Sequence, residues 1–329
     1  MRIALDAMGG DYAPREIVAG AVAYAHKNRP GVHLTLVGDA GQIDGVLRDL
    51  HATTLPLRVV HAPEVIAMHE APAAALRRKR DCSVAVCMRL AHAGEADAVV
   101  TAGHTGAAAT AAALEWRTLP GIDRPAIAAL VPGPLGATVL IDTGATVNCK
   151  PAHLLQFAQM GACYAHLQRT HPVVGLLSIG EEDAKGNAVT RDAFKLLRES
   201  RLHFYGNVEG QDLFSGKVDV IVCDGFVGNV ALKVMEGMAH GIRLLFERHT
   251  ARGGMLRAVQ RWLVKPVVWR MGRRFDTAKL GGAPLLGVAG VCICAHGNSR
   301  ASAIVGAIER AREAVATQLN DRITEALAL

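Results

Sequence analysis

Short apolar runs recur along the chain at Ile3 to Leu5, Leu34 to Val37, Leu57 to Val60, Ala98 to Val100, Ala126 to Val131, Val139 to Ile141, Val173 to Leu177, Val218 to Val222 and Val288 to Cys294. Continuous runs of this length are what strands buried on both faces require. Helical spacing fills the intervals, at Ile17 to His26, Ala73 to Ala93, an alanine-rich stretch ending near Trp116, Pro151 to His166, Arg191 to Glu199, Gly228 to Phe246 and Ser299 to Leu319. Strands and helices alternating in this way predict an α/β fold of three layers, αβα, around a mostly parallel doubly wound sheet. No repeat, low-complexity tract or linker divides the chain, so one domain over residues 1–329 is expected.

The ends of the runs carry the candidate chemistry. Leu5-Asp6-Ala7-Met8-Gly9-Gly10-Asp11, Ile141-Asp142-Thr143-Gly144-Ala145, Leu177-Ser178-Ile179-Gly180-Glu181-Glu182 and Val222-Cys223-Asp224-Gly225-Phe226 each set polar residues beside glycine just past a strand. In an open parallel sheet such ends gather on one edge, where ligands bind, and that single edge is the expectation. The richest turn is Thr101-Ala102-Gly103-His104-Thr105-Gly106-Ala107, which reads as strand, glycine turn and helix start. Its first helical N–H groups point outward, and Thr101, His104 and Thr105 add donors, a combination that holds an anion. A plain strand-to-helix turn capped by Thr105 fits the same residues. Lys185 within Gly180 to Asn187, Asn229 after Asp224-Gly225, and Lys150 ahead of Pro151 add groups suited to an anion or a developing oxyanion. Lys185 can equally pair with Glu181 or Glu182, and Asn229 can equally cap a helix.

Composition narrows the classes. Hydrophobic residues make up 50% and aromatics 4%, the profile of a packed interior and not of an aromatic nucleic-acid platform. A net charge of +6 favours acidic partners. Seven cysteines without C-x-x-C spacing argue against a disulfide framework or a zinc site, and Cys292 and Cys294 are expected as small buried hydrophobes on one strand face. The chain has no G-x-G-x-x-G after its first strand, no G-x-x-x-x-G-K-[ST], no G-x-S-x-G and no H-E-x-x-H, which weakens dinucleotide, nucleotide-triphosphate, serine-hydrolase and zinc-protease readings. Met1 leads directly into a strand pattern, and no run of about 18 apolar residues occurs, so a chain neither exported nor membrane-spanning is expected.

One segment stands apart. Residues 252–274 hold Arg257, Arg261, Lys265, Arg270, Arg273 and Arg274 with no acidic residue, together with Trp262 and Trp269. At helical spacing Met255, Leu256, Val259, Trp262 and Leu263 share one side and Arg257, Arg261 and Lys265 the other, the pattern of a helix lying in an anionic membrane surface. Pro266 would turn it into a protruding basic hairpin at about 250–276. Packing on the protein's own core, on a second subunit, or against an acidic carrier protein suits the same pattern.

The blocks at Leu5 to Asp11, Thr101 to Ala107, Gly121-Ile122-Asp123-Arg124-Pro125-Ala126, Asn148-Cys149-Lys150-Pro151, Gly180 to Asn187, Gly206-Asn207-Val208-Glu209-Gly210, Cys223 to Asn229 and Gly281 to Gly287 resemble, in order, those of the PlsX-type phosphate acyltransferases. The resemblance runs from residue 3 to about residue 310. It implies a fold similar to phosphotransacetylases and isopropylmalate-type dehydrogenases. It implies transfer of a fatty acyl group from acyl carrier protein to inorganic phosphate, giving acyl phosphate and free carrier for phospholipid synthesis, with no metal or other cofactor. Lys185, Asn229 and His104 would be catalytic. Asp6, Gly9, Gly10, Thr101, Gly103, Thr105, Gly106, Asp142, Lys150 and Asp224 would bind phosphate and thioester, the three aspartates by orienting the donors. Leu256, Val259, Trp262, Leu263, Arg257, Arg261 and Lys265 would meet the membrane. The implied setting is a cytoplasmic homodimer held peripherally on the inner face of the cell membrane, supplying a membrane glycerol-3-phosphate acyltransferase and binding no nucleic acid. Two departures stand out: His104 where the family usually has Asn, and Gly144-Ala145-Thr146 where it has Gly-Ala-Asn. A phosphotransacetylase acting on acyl-coenzyme A, a dehydrogenase of the related fold, and a catalytically silent membrane scaffold are the competing readings.

Overall fold

The computed structural model describes residues 1–27, 31–167, 169–251 and 281–328. Along it run β1 (Arg2–Asp6), α1 (Arg15–His26), β2 (His33–Gly38), α2 (Ala40–Asp49), β3 (Leu57–His61), α3 (Pro72–Arg78), α4 (Ser83–His92), β4 (Ala98–Thr101), α5 (Thr105–Trp116), β5 (Ala126–Gly133) and β6 (Gly136–Ile141). Then come α6 (Pro151–His166), β7 (Val174–Leu177), α7 (Ala188–Glu199), β8 (Phe204–Val208), β9 (Val220–Val222), α8 (Gly225–Ala251), β10 (Ala283–Leu286), β11 (Cys292–Cys294), α9 (Ala301–Ala316) and α10 (Leu319–Ala328).

The strands form one sheet in the order β3-β2-β1-β4-β11-β10-β5-β6-β9-β7-β8. Side chains alternate across it, and each face has its own cover. In the first half Ile3, Leu5, Val100 and Ile293 pack under α1, α2 and α9, while Ala4, Val99, Cys292 and Cys294 pack under α3, α4 and α5. In the second half Val139, Ile141, Val220 and Val222 meet α6, α7 and α10, and Leu140, Ile221 and Cys223 meet the start of α8 through Ala231 and Met235. The three-layer αβα arrangement expected from the alternating runs is therefore present, and Cys292 and Cys294 are buried as expected.

Strand direction departs from the single-edge expectation. β3, β2, β1, β4 and β11 are mutually parallel, as are β6, β9, β7 and β8. Between the sets, β10 is antiparallel to both β11 and β5, and β5 is antiparallel to β6. Three reversals leave the two sets running in opposite directions, so the ends of β1 and β4 and the ends of β6 and β9 point to opposite edges. The cause lies where one apolar run, Val288 to Cys294, was expected as one strand. Cys292–Cys294 alone of this run is strand, with Val288 in an isolated bridge to Thr118; the carbonyls of Val288 and Gly290 accept from Asn320 Nδ2 at 3.0 and 3.1 Å, and Ala283–Leu286 supplies the reversing strand.

The helix expected over Ala73 to Ala93 is also two. Between α3 and α4, Asp81 N–H donates to Glu64 Oε2 at 3.0 Å and Ser83 N–H to the Glu64 carbonyl at 3.0 Å, while Lys79 Nζ reaches the Val65 carbonyl at 2.7 Å. These long-range bonds compete with the helical ladder and win, and they set Ser83 at a new helix start. Leu256, Val259, Trp262, Leu263, Arg257, Arg261 and Lys265 lie outside the described residues.

Candidate functional site

The first group of expected residues sits at the ends of β1 and β4. The Asp6 carboxylate, 2% exposed as a residue, accepts the Thr101 hydroxyl at 2.7 Å, and Thr101 Oγ1 in turn accepts the Gly103 N–H at 3.1 Å. The Met8 N–H adds a 3.3 Å bond to Asp6 Oδ1. Burial pushes the Asp6 carboxyl above its ordinary range, against the pull of hydrogen bonds from Ser83, Thr101, Met8 and Gly9. Gly9 permits the close approach: a Cβ there would stand 2.6 Å from Asp6 Oδ2 and 2.7 Å from the Gly103 nitrogen. Asp6, Gly9, Ser83, Gly103 and His104 line one small recess.

His104, and not Thr105, caps α5. Its Nδ1 accepts the Gly106 N–H at 3.1 Å, so a neutral ring carries its proton on Nε2. The His104 and Thr105 N–H groups have no hydrogen-bond partner among the described residues. Two outward N–H groups at the positive end of a 12-residue helix form a place for an anion. Asparagine would satisfy the same two demands, accepting through Oδ1 and donating through Nδ2, so the departure at 104 preserves the pattern of donor and acceptor. His104→Asn should therefore keep turnover within a few-fold of wild type, whereas His104→Ala should lose the cap, about 1 kcal/mol of stability, and most of the turnover; thermal melts and initial rates check both.

The second group surrounds the ends of β6 and β9. Asp142, fully buried, accepts four backbone N–H groups: Ile127 at 3.0 Å, Gly144 at 3.1 Å and Ala145 at 2.9 Å on Oδ1, and Thr146 at 2.7 Å on Oδ2. Burial still outweighs these bonds and raises its pKa from 3.8 to about 6. The same burial, with the Asp142 and Asp224 charges, pushes the Cys149 thiol up to about 12, which leaves it inert. Asp224 Oδ1 caps α8, accepting Phe226 and Val227 N–H at 2.9 and 2.8 Å. The first turn of α8 then lies against the Asp142 loop, with Gly225 N–H donating to the Thr146 carbonyl at 2.9 Å. Asn229 is exposed, and its Nδ2 lies 3.5 Å from where a Cβ on Gly144 would stand. Lys150, also exposed, opens α6, and its N–H donates to His153 Nδ1 at 3.1 Å.

The Asp142 carboxyl binds its proton more tightly in the folded chain than in the unfolded one. Its contribution to stability is present in full below about pH 4 and is lost as pH rises through about 6. The denaturant midpoint of wild type relative to Asp142→Asn should accordingly fall between pH 4 and 7; a gap independent of pH would contradict the assignment.

Lys185 stands on the loop after β7, its Nζ 4.0 Å from Glu182 Oε2 and its side chain half exposed. Glu181 pairs instead with Lys217 at 2.6 Å. No hydrogen bond or ion pair among the described residues joins Lys185 to His104 or to Asn229.

The two groups are connected through α8. Glu236 Oε1 lies 2.9 Å from His296 Nε2, just beyond β11. The neighbouring Ala295 N–H donates to the Thr101 carbonyl at 2.7 Å, and the Gly297 carbonyl accepts the Asp11 N–H at 2.7 Å. His296 thus flanks both turns of the first group, while Asn229 of the second group lies seven residues, about 10 Å, earlier on the same helix.

Ser83, His153 and His296 belong to the site and escaped the sequence reading. Ser83 appears mid-helix in the sequence and becomes visible only with the break after α3. His153 could have been found as a polar residue three positions after Lys150 at a helix start. His296 follows the rule that found the others, a polar residue beside glycine after an apolar run.

Residues 1–322 match the family model described as fatty acid synthesis protein. A phosphate acyltransferase of Pelotomaculum thermopropionicum is 48% identical over 329 residues, covering 99% of this chain and 95% of the relative. One of Heliobacterium modesticaldum is 49% identical over 320 residues, covering 96% and 94%. Among solved structures, a phosphotransacetylase from Streptococcus pyogenes superposes with a TM-score of 0.63 at 17% identity, covering 100% of this chain and 94% of that one, a likeness of fold.

Proposed function

Since the chain belongs to the phosphate acyltransferase family, as its match over residues 1–322 and its relatives at 48 and 49% identity show, we propose that it moves a fatty acyl group from the thioester of acyl carrier protein to inorganic phosphate. A phosphate oxygen adds to the thioester carbonyl, and the tetrahedral intermediate collapses with breakage of the carbon–sulfur bond. The HPO4²⁻ proton ends on the sulfur, giving acyl phosphate and free carrier thiol.

The observation that carries this reading is the cradle at the start of α5. Phosphate is already an anion and a nucleophile, so the protein's task is to position it and to stabilise the oxyanion. The His104 and Thr105 N–H groups hold the phosphate, with Thr101, Gly103 and Gly106 shaping the turn and Asp6, Gly9 and Gly10 backing it. His104 Nε2–H is the donor proposed to hydrogen-bond the leaving sulfur as charge develops there, while the proton itself comes from the phosphate. Asn229 donates to the carbonyl oxygen across the span of α8, and Lys150 at the start of α6 adds positive charge; Asp142 and Asp224 keep that loop and helix in place. Lys185 supplies positive charge from the β7 loop.

The carrier, phospholipid synthesis and the membrane are part of the same proposal. A net charge of +6 suits an acidic carrier, and an acyl phosphate is itself a membrane-seeking product for a membrane glycerol-3-phosphate acyltransferase. No helix among the described residues is long and apolar enough to cross a membrane; the basic segment holding Trp262 and Leu263 is the contact proposed with anionic lipid. Phe226, Val230, Val234, Met238 and Ile242 form a broad exposed apolar face on α8, which supports a homodimer. Donor competition tests the carrier: acyl carrier protein should outperform the matching acyl-coenzyme A in kcat/KM by at least tenfold, and equal use of both would replace this reading with a phosphotransacetylase.

A further inference from the structure

The two halves of the proposed site sit on strand sets that run in opposite directions, and α8 meets both. Its first turn packs on the Asp142 loop, Asn229 follows directly, and Glu236 lies two turns beyond Asn229. Glu236 Oε1 is buried, and among the described residues it lies 2.9 Å from His296 Nε2. The other oxygen takes Lys233 Nζ at 3.1 Å, one turn back along the helix. The His296 loop is in turn bonded to the anion turn through Ala295 and Thr101 and to the Gly9 turn through Gly297 and Asp11, each at 2.7 Å.

We propose that Glu236 and His296 act as a strut, a pair of positioning residues that fixes the separation between the phosphate turn at Thr101 to Gly106 and the oxyanion donor Asn229. The inference rests on the acyl-transfer reading given above. Neither residue touches a substrate. A carboxylate oxygen buried against an imidazole nitrogen sets a distance because the contact is lost if either end slides. Attack of phosphate on a carbonyl held by the opposite half demands that this distance be held to a fraction of an ångström. A latch that served stability alone could sit anywhere between the halves; this one joins the helix of the donor to the loop bonded to both anion-side turns.

The test measures phosphate-dependent thiol release from acyl carrier protein for wild type, Glu236→Gln, His296→Gln, the double variant and His296→Lys, with thermal melting of each. Expected are a fall in kcat of about tenfold with a rise in the KM for phosphate in each single variant, a double variant no worse than either single, and partial recovery in His296→Lys relative to His296→Gln, because lysine again offers a donor to Glu236. Wild-type kinetics in Glu236→Gln, or losses that multiply in the double variant, would overturn the strut against an active wild type. Losses that follow melting temperature alone, with no recovery in His296→Lys, would overturn it too. Absence of phosphate-dependent release in wild type would overturn the acyl-transfer reading and the strut with it.

Discussion

Gly9→Ala is expected to lower phosphate-dependent turnover by about a hundredfold or more, the cost of displacing a reacting group by about an ångström, while circular dichroism keeps its wild-type shape. The added methyl would stand 2.6 Å from Asp6 Oδ2, 2.7 Å from the Gly103 nitrogen and 2.9 Å from the Gly103 Cα. Two of those neighbours are backbone and the third is a carboxylate pinned by Thr101, so none can rotate away. The turn at Thr101 to Gly106 must move, and it carries the two N–H groups proposed to hold the phosphate. The sheet beneath is held by β2 and β4 on either side of β1 and does not depend on position 9. Loss of turnover with an unchanged KM for phosphate, or no loss at all, would contradict the placement of the anion.

Asp142→Ala should cost about 3 to 5 kcal/mol of stability, the range set by leaving several buried donors without an acceptor. Four N–H groups converge on this carboxylate, from Ile127, Gly144, Ala145 and Thr146. Asp142→Asn should cost much less. Three of the four donors share Oδ1, which asparagine retains; only Thr146 loses its acceptor and meets an amide N–H₂ instead. Denaturant titration at pH 7 separates the two variants. The Thr146 carbonyl also holds Gly225 at the start of α8, so Asp142→Ala should disorder the approach to Asn229 and lose turnover beyond what stability explains. A stability loss under about 1 kcal/mol would mean that water enters and satisfies the loop.

Much of this arrangement is legible in residue order. The Thr101 turn announces itself because a buried strand, a glycine turn and a helix start each impose local requirements within seven residues, and the loops ending β1, β6 and β9 follow the same rule. Direction is not legible in that way. An apolar run such as Val139 to Ile141 is equally buried pointing either way, and the reversal depends on Ala283–Leu286, a short strand containing Pro284, a residue that argues against a strand when met in sequence. Ser83 was hidden because helical spacing runs unbroken through Lys79 to Cys82; the break comes from Glu64, 19 residues earlier in the chain, which no local pattern contains. Lys185 was read both as a site cation and as a partner of an acidic neighbour. Among the described residues its ion pair is with Glu182, at 4.0 Å.

In the proposed reaction phosphate is the nucleophile toward a fatty acyl thioester. The most direct measurement follows thiol release from palmitoyl acyl carrier protein together with the ³¹P resonance of acyl phosphate, with and without inorganic phosphate. Thiol and acyl phosphate should appear in equal amounts, and both should vanish when phosphate is omitted. Thiol release that continues without phosphate, with free fatty acid as its product, would contradict the account.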